Sequence, residues 1–148
     1  MAVAIFSTWT TYGTWLPGDE RGWFKRSQGV QSADALRTLG AAFRMTHDAT
    51  TLDAVQRTRV EATIAAHCVF RGWTLHAVNC RSNHVHVVVT AADRACGVPR
   101  VQFKAWCSRK LSEAGPARED WWSERGWDVY LDDEDSLAVV TDYVNERQ

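Results

Sequence analysis

The stretch from Leu52 to Val89 does most to limit what this 148-residue chain can fold into, because its hydrophobic period changes there once and abruptly. Leu52, Val55, Val60, Ile64 and Cys68 recur at helical spacing and Arg71-Gly72 stops the run after Phe70, which predicts a long amphipathic helix. Trp73–Cys80 then reads as a strand, Arg81-Ser82-Asn83 as a tight turn and His84–Val89 as a second strand, so a β-hairpin follows the helix. Upstream, Val3–Thr11 is β-branched and aromatic, the composition that packs on a pleated surface, and is expected to be a strand. The glycines and Pro17 between Tyr12 and Trp23 mark a loop, and residues 24–50 are mixed and polar, with a short helix expected around Ala33–Phe43.

Downstream, Pro99 suits the first turn of a helix running to Glu113. One stripe of that helix holds Phe103, Trp106, Cys107 and Leu111, read as core, and another holds Arg100, Lys104 and Ser108. Gly115-Pro116 ends it, Asp128–Leu131 is a short strand, and Asp133–Gln148 reads as a helix with acids in its first turn and Leu137, Val140 and Val144 on its apolar stripe. This order gives an α+β fold, a ferredoxin-like (split βαβ) antiparallel sheet with one helix added at the C-terminal end. Fold alone assigns no chemistry.

Residues 1–148 are enough for a single domain with a core, and the 45% hydrophobic and 24% charged content excludes disorder and membrane residence. No run approaches the roughly 18 apolar residues of a spanning helix. Met1–Phe6 has neither a basic leader nor a cleavage site, so a cytoplasmic protein is expected. Cys68, Cys80, Cys96 and Cys107 contain no C-x-x-C pair and read as reduced, mostly buried thiols. The net charge of −1 hides a split: residues 1–118 carry 15 Lys and Arg against 8 Asp and Glu, and residues 119–148 carry 2 against 10. A basic face is therefore compatible with a near-neutral total.

His84-Val85-His86 is the most informative short segment. Residues two apart on a strand share a face about 6.5–7 Å apart, so two imidazoles converge and can ligate one divalent ion. The alternative is a pair of histidines on a wet sheet face. Tyr143, on the last helix, is either an amphipathic tyrosine at the edge of the core or a nucleophile: a phenol, with a pKa of about 10, becomes useful beside a metal-polarised electrophile. His47, His67 and His76 read as structural, although strand parity could bring His76 near the pair.

Asn83–Val89 on a hairpin strand, followed some sixty residues later by a helix ending Tyr143-Val144-Asn145-Glu146-Arg147-Gln148, resembles the single-tyrosine HUH transposases of the insertion-sequence-200 type, including relatives associated with repeated extragenic palindromes. Phe103–Leu111 and the Tyr12–Asp19 loop are similar to the same group, and the resemblance covers nearly the whole chain. It implies a metal-dependent single-stranded DNA endonuclease and strand transferase. His84 and His86 would bind Mg²⁺ or Mn²⁺, and Tyr143 would form a 5′-phosphotyrosine and free a 3′-hydroxyl. It also implies DNA hairpin ends as partners and a homodimer, with the tyrosine helix serving its own or the partner's histidines. In the family a Gln, Asn or His four residues after the tyrosine completes the metal site; Arg147 stands there in this chain and cannot ligate a metal. Glu146 and Gln148 are the neighbouring candidates, and Glu146, about 60° around the helix from Tyr143 against about 140° for Gln148, is the better aimed.

Arg100, Lys104, Arg109 and Lys110 could track a phosphate backbone, and Trp15, Trp23, Trp121 or Trp122 could stack on unpaired bases. A catalytically inactive or domesticated DNA- or RNA-binding module of the same fold is the competing reading. A different metal hydrolase is disfavoured, because neither H-E-x-x-H nor paired H-x-T/S motifs occur.

Overall fold

A computed structural model of the chain describes residues 3–13, 23–25, 29–31, 50–91, 95 and 97–146. Its elements are β1 (Ala4–Thr11), β2 (Trp23–Lys25), β3 (Gly29–Gln31), α1 (Ala54–Arg71), β4 (Thr74–Cys80), β5 (His84–Thr90), α2 (Val98–Ala114), β6 (Trp122–Leu131) and α3 (Glu134–Glu146). The short helix expected around Ala33–Phe43 lies outside the described residues. β2 and β3 pair with each other antiparallel, a small hairpin that the polar stretch after Trp23 does not announce.

Local chemistry sets the boundaries of α1. Asp53 Oδ1 accepts from the Gln56 backbone N–H at 2.8 Å while Gln56 Oε1 accepts from the Asp53 N–H at 2.9 Å, a reciprocal cap that satisfies two otherwise orphaned donors. At the other end Gly72 adopts φ 73°, a left-handed conformation that costs glycine little. The Gly72 and Trp73 N–H groups there close onto the carbonyls of Val69 and Cys68, which ends the helix. Asp133 performs the N-terminal service for α3, its Oδ1 accepting from the Ser136 N–H at 2.7 Å; that bond holds the carboxyl below its usual range.

The larger sheet has four strands in the order β4-β5-β1-β6, every neighbour antiparallel. β5 is inserted between β1 and β4, the two strands that α1 connects, which is the split βαβ arrangement of the ferredoxin-like fold. Alternation along the strands then creates two unlike faces. Ile5, Trp9, Val85, Val87 and Val89 point to one side and are buried with Val60 and Ile64 of α1 and Phe103, Cys107 and Leu111 of α2. Ala4, Phe6 and Val88 point to the other, under Val144, Leu137 and Val140 of α3. Each fully buried Val, Leu or Phe contributes about 1.5–3 kcal/mol relative to exposure, so the first face carries most of the fold's stability.

Some expectations need correction. β6 is ten residues long, not the four of Asp128–Leu131. Its first half is polar because it is an edge strand that needs no two-sided apolar pattern. Trp121 and Trp122, expected to be exposed, are only 3% and 8% exposed. Their indole N–H groups donate to Ser112 Oγ and to the Lys104 carbonyl, and Trp122 meets Trp9 edge-on, so neither can stack on a base. Trp106, read as core, is instead 38% exposed at the rim of α2. Cys68, Cys80 and Cys107 are buried free thiols, and burial pushes Cys68 up to about 11 and Cys80 to about 12; Cys96 lies outside the described residues. Among the described residues no helix is long and apolar enough to cross a membrane.

Candidate active site

Because β5 alternates, His84 and His86 both leave it on the α3 side while Val85 and Val87 enter the opposite core. Their ring centroids are 4.8 Å apart, closer than the strand repeat alone would give. Flanking strands hold the rings. His86 lies in register with Thr8 on β1 and Asn79 on β4, and its Nδ1 is hydrogen-bonded to Thr8 Oγ1. His84 Nδ1 meets Asn83 Oδ1 at 2.8 Å. An amide oxygen only accepts, so His84 Nδ1 carries the hydrogen and in the neutral ring Nε2 keeps the lone pair. The same applies to His86 when the Thr8 hydroxyl accepts. Burial first, and the neighbouring His84 second, lower His86 to about 4, which keeps it neutral at physiological pH.

Tyr143 comes to this pair from α3, which packs on the same face of the sheet within the same chain. Its ring centroid lies 6.0 Å from that of His86 at an interplanar angle of 64°, and the residue is 44% exposed. Val144, the next residue, is buried in the cluster of Phe6, Ala77 and Val88, and Asn79 Nδ2 donates to the Val144 carbonyl at 3.2 Å. The strand residue beside His86 thus ties down the turn of α3 that carries the phenol. Phe6 completes the wall, 5.6 Å from His86 and 5.7 Å from Trp127.

The donor set suits a divalent cation. Two imidazoles share one face and each Nδ1 is engaged by the protein, the usual way a partner on one nitrogen orients a metal-binding histidine. Among the described residues no third His, Cys, Asp or Glu side chain joins them. Glu146 ends α3 with its side chain outside the described set, and Gln148 lies beyond it.

The four cations fall into two pairs. Arg100 grips Asp128 of β6 with Nε at 3.0–3.1 Å and a terminal nitrogen at 2.9 Å, and Ser7 Oγ donates to the same carboxylate at 2.7 Å. Lys104 Nζ donates to the Ser123 carbonyl at 2.9 Å. Both are therefore turned inward onto β6. Arg109 and Lys110 are exposed, Arg109 stacked 4.6 Å over the Trp106 ring and Lys110 near Glu113 at 3.9 Å. His76 bonds Thr90 Oγ1 at 2.7 Å, at the far end of β5 from His84, so parity does not bring it to the pair. His67 is buried against Gln102, Oε1 to Nε2 at 2.7 Å, while His47, Trp15 and the Trp23 side chain lie outside the described residues. Thr8 and Asn79 were invisible as site residues in the sequence, since only strand register brings them beside His86; Asn83, adjacent to His84, was the one partner within reach of sequence reading.

Solved structures with this architecture include two transposases. One is a REP-associated tyrosine transposase bound to a REP hairpin, with a TM-score of 0.53 and 12% identity over 97% of this chain and 66% of that one. This chain shares its fold with that tyrosine transposase. The other is a candidate transposase from Deinococcus radiodurans, with a TM-score of 0.50 and 13% identity, covering 100% of this chain and 92% of that one. The chain thus spans just under two thirds of the hairpin-bound transposase. No family model and no curated protein matches the sequence. The likeness to these two transposases is therefore one of fold, at 12% and 13% identity.

Proposed function

We propose that the chain is a transposase that cuts and rejoins single-stranded DNA through a covalent 5′-phosphotyrosine on Tyr143. The observation that supports this most is the meeting of the Tyr143 phenol and the His86 imidazole, 6.0 Å apart, on the sheet face that also carries His84. In the reaction the phenolic oxygen bonds to phosphorus, the bond to the 3′ oxygen breaks, and the phenol's proton ends on that oxygen as a 3′-hydroxyl. The link conserves the phosphodiester energy, so joining to a second strand is the same exchange in reverse and needs no ATP. His84 and His86 hold a divalent cation, Mg²⁺ or Mn²⁺, with Glu146 or Gln148 as candidate further ligands, and when bound it supplies Lewis-acid polarisation of a phosphoryl oxygen. Thr8 and Asn83 orient the two rings, and Asn79 with Val144 holds the helix turn so that the phenol stays over them.

Hairpin ends are the expected partner, in line with the DNA hairpin held by the fold neighbour. A homodimer of this chain would contain two such sites, each with tyrosine and histidines from one protomer. The decisive experiment incubates the protein with labelled single-stranded DNA from the gene's own flanks and Mn²⁺ and looks for a shifted protein band on a denaturing gel. The expected result is an adduct that EDTA prevents and that Tyr143→Phe abolishes while DNA binding persists. An adduct that survives the substitution overturns the assignment. A silent DNA-binding module is the second reading, favoured by Arg147, a cation that cannot ligate a metal, four residues after Tyr143, and it predicts binding with no adduct from the wild-type protein.

A further inference from the structure

The outer surface of the α1–α2 layer, across the sheet from Tyr143, carries two aromatic rings that the fold leaves open to solvent. Phe70 is 76% exposed at the end of α1, and Trp106 is 38% exposed on α2. Buried His67 lies between them, its ring 6.3 Å from Phe70 and 6.1 Å from Trp106, with interplanar angles of only 36° and 35°. The three rings form a tilted row that bridges the two helices. A guanidinium accompanies each outer ring: Arg71 Cζ is 5.4 Å from the Phe70 centroid and Arg109 Cζ is 4.6 Å from that of Trp106. Among the described residues neither arginine makes an ion pair.

We infer that this row is a second binding site for single-stranded nucleic acid, in which Phe70 and the Arg109–Trp106 stack receive unpaired bases and Arg71 and Arg109 face the phosphates. Aromatic faces beside guanidinium groups are the chemistry that holds unpaired bases without reading sequence, because every base has a π-face and every nucleotide a phosphate. Charge favours a polyanion on this surface. The segments 54–71 and 98–114 hold seven Lys and Arg against two Glu, and five of the seven remain when Arg100 and Lys104, both held by β6, are set aside, so a strand is attracted to the helical layer. The inference rests on the reading of the chain as a single-strand binder but not on cleavage, and the site would hold the strand outside the nicking centre.

The test measures binding of a fluorescent single-stranded oligonucleotide across a salt series in the Tyr143→Phe background, where no cleavage occurs. Phe70→Ala combined with Arg109→Gln is expected to weaken binding at least about fivefold. It should also make the slope of log affinity against log salt shallower by about 0.7, the share of one phosphate contact on a single strand. Val69→Ser, at an exposed position outside the row, is expected to leave both unchanged. Wild-type affinity and slope in the double variant, with an unchanged melting temperature, overturn the inference. So does an equal loss in Val69→Ser, or a double variant that binds DNA normally but loses self-association in sedimentation, which would make the patch a protein interface. Adduct formation by the otherwise wild-type protein is scored separately, so a failed patch and a failed catalytic assignment give different results.

Discussion

The face of the sheet beneath α1 and α2 and the face beneath α3 come from the same strands, residue alternating with residue, yet they are built for different purposes. The first is mainly apolar: Trp9, Val85, Val87, Val89, Phe103 and Leu111 fill it, two helices cover it, and its outer surface is basic. The second has a small apolar cluster around Phe6, Val88 and Val144 and gives the rest of its area to His84, His86, Thr8 and Asn79, under one acidic helix. Polar groups can occupy that side because the opposite side already supplies most of the stabilising burial. One sheet thus separates the main core from the candidate site by parity.

Substitutions can break or sharpen this division. Phe103→Ala, in the main core, is expected to destabilise by about 3–5 kcal/mol in urea unfolding, the usual cost of removing a buried aromatic ring. A loss below about 1 kcal/mol would show that the two faces share the load more evenly than their composition indicates. Gly126→Ala comes next. A Cβ there would strike the Arg100 side chain and come within 2.9 Å of the Thr8 carbonyl oxygen, so about 1–3 kcal/mol should be lost as the Arg100–Asp128 pair is displaced.

Asn79→Ala should behave in the opposite way. Losing its bond to the Val144 carbonyl costs about 0.5–1.5 kcal/mol of stability. Adduct formation in single-turnover assays should nevertheless fall roughly 10- to 100-fold, because the turn carrying Tyr143 is no longer held in place. Equal adduct rates in the variant would remove Asn79 from any positioning role. The smallest effect concerns pH. Burial, with repulsion from Arg100, lowers Lys104 to about 8 from its ordinary 10.5. Between those values the unfolded chain retains a proton that the folded one has lost, so this residue makes stability rise with pH across that window. Lys104→Met should flatten the rise in thermal melts at pH 7.5 to 10; an unchanged slope would mean that Lys104 does not carry it.

What could be read beforehand followed the same parity. The α1 helix, the β4–β5 hairpin and the shared face of His84 and His86 depend on local spacing, and the structure has all three. Features that depend on distant partners were harder to read. The first half of β6 looks like a polar loop until β1 is beside it, and Trp121 and Trp122 look exposed until Ser112 and Lys104 accept their N–H groups. Arg100 and Lys104 share a stripe that suits a phosphate backbone, but β6 supplies a carboxylate and a carbonyl closer at hand. Thr8 became a site residue only because β1 runs alongside β5 in a register no short window contains.

The central place of β1 also has a consequence for how the molecule is made. This first strand pairs on one side with β5 and on the other with β6, and Ser7 finds its partner Asp128 a full 121 positions later. Such distant pairings are slow to form, because much chain entropy is lost before any contact compensates. During synthesis β1 must wait, half-paired at best, until β6 has left the ribosome, and Tyr143 emerges after even that. A chain interrupted before residue 122 would therefore carry the paired histidines of β5 while one flank of β1 still lacked its partner strand.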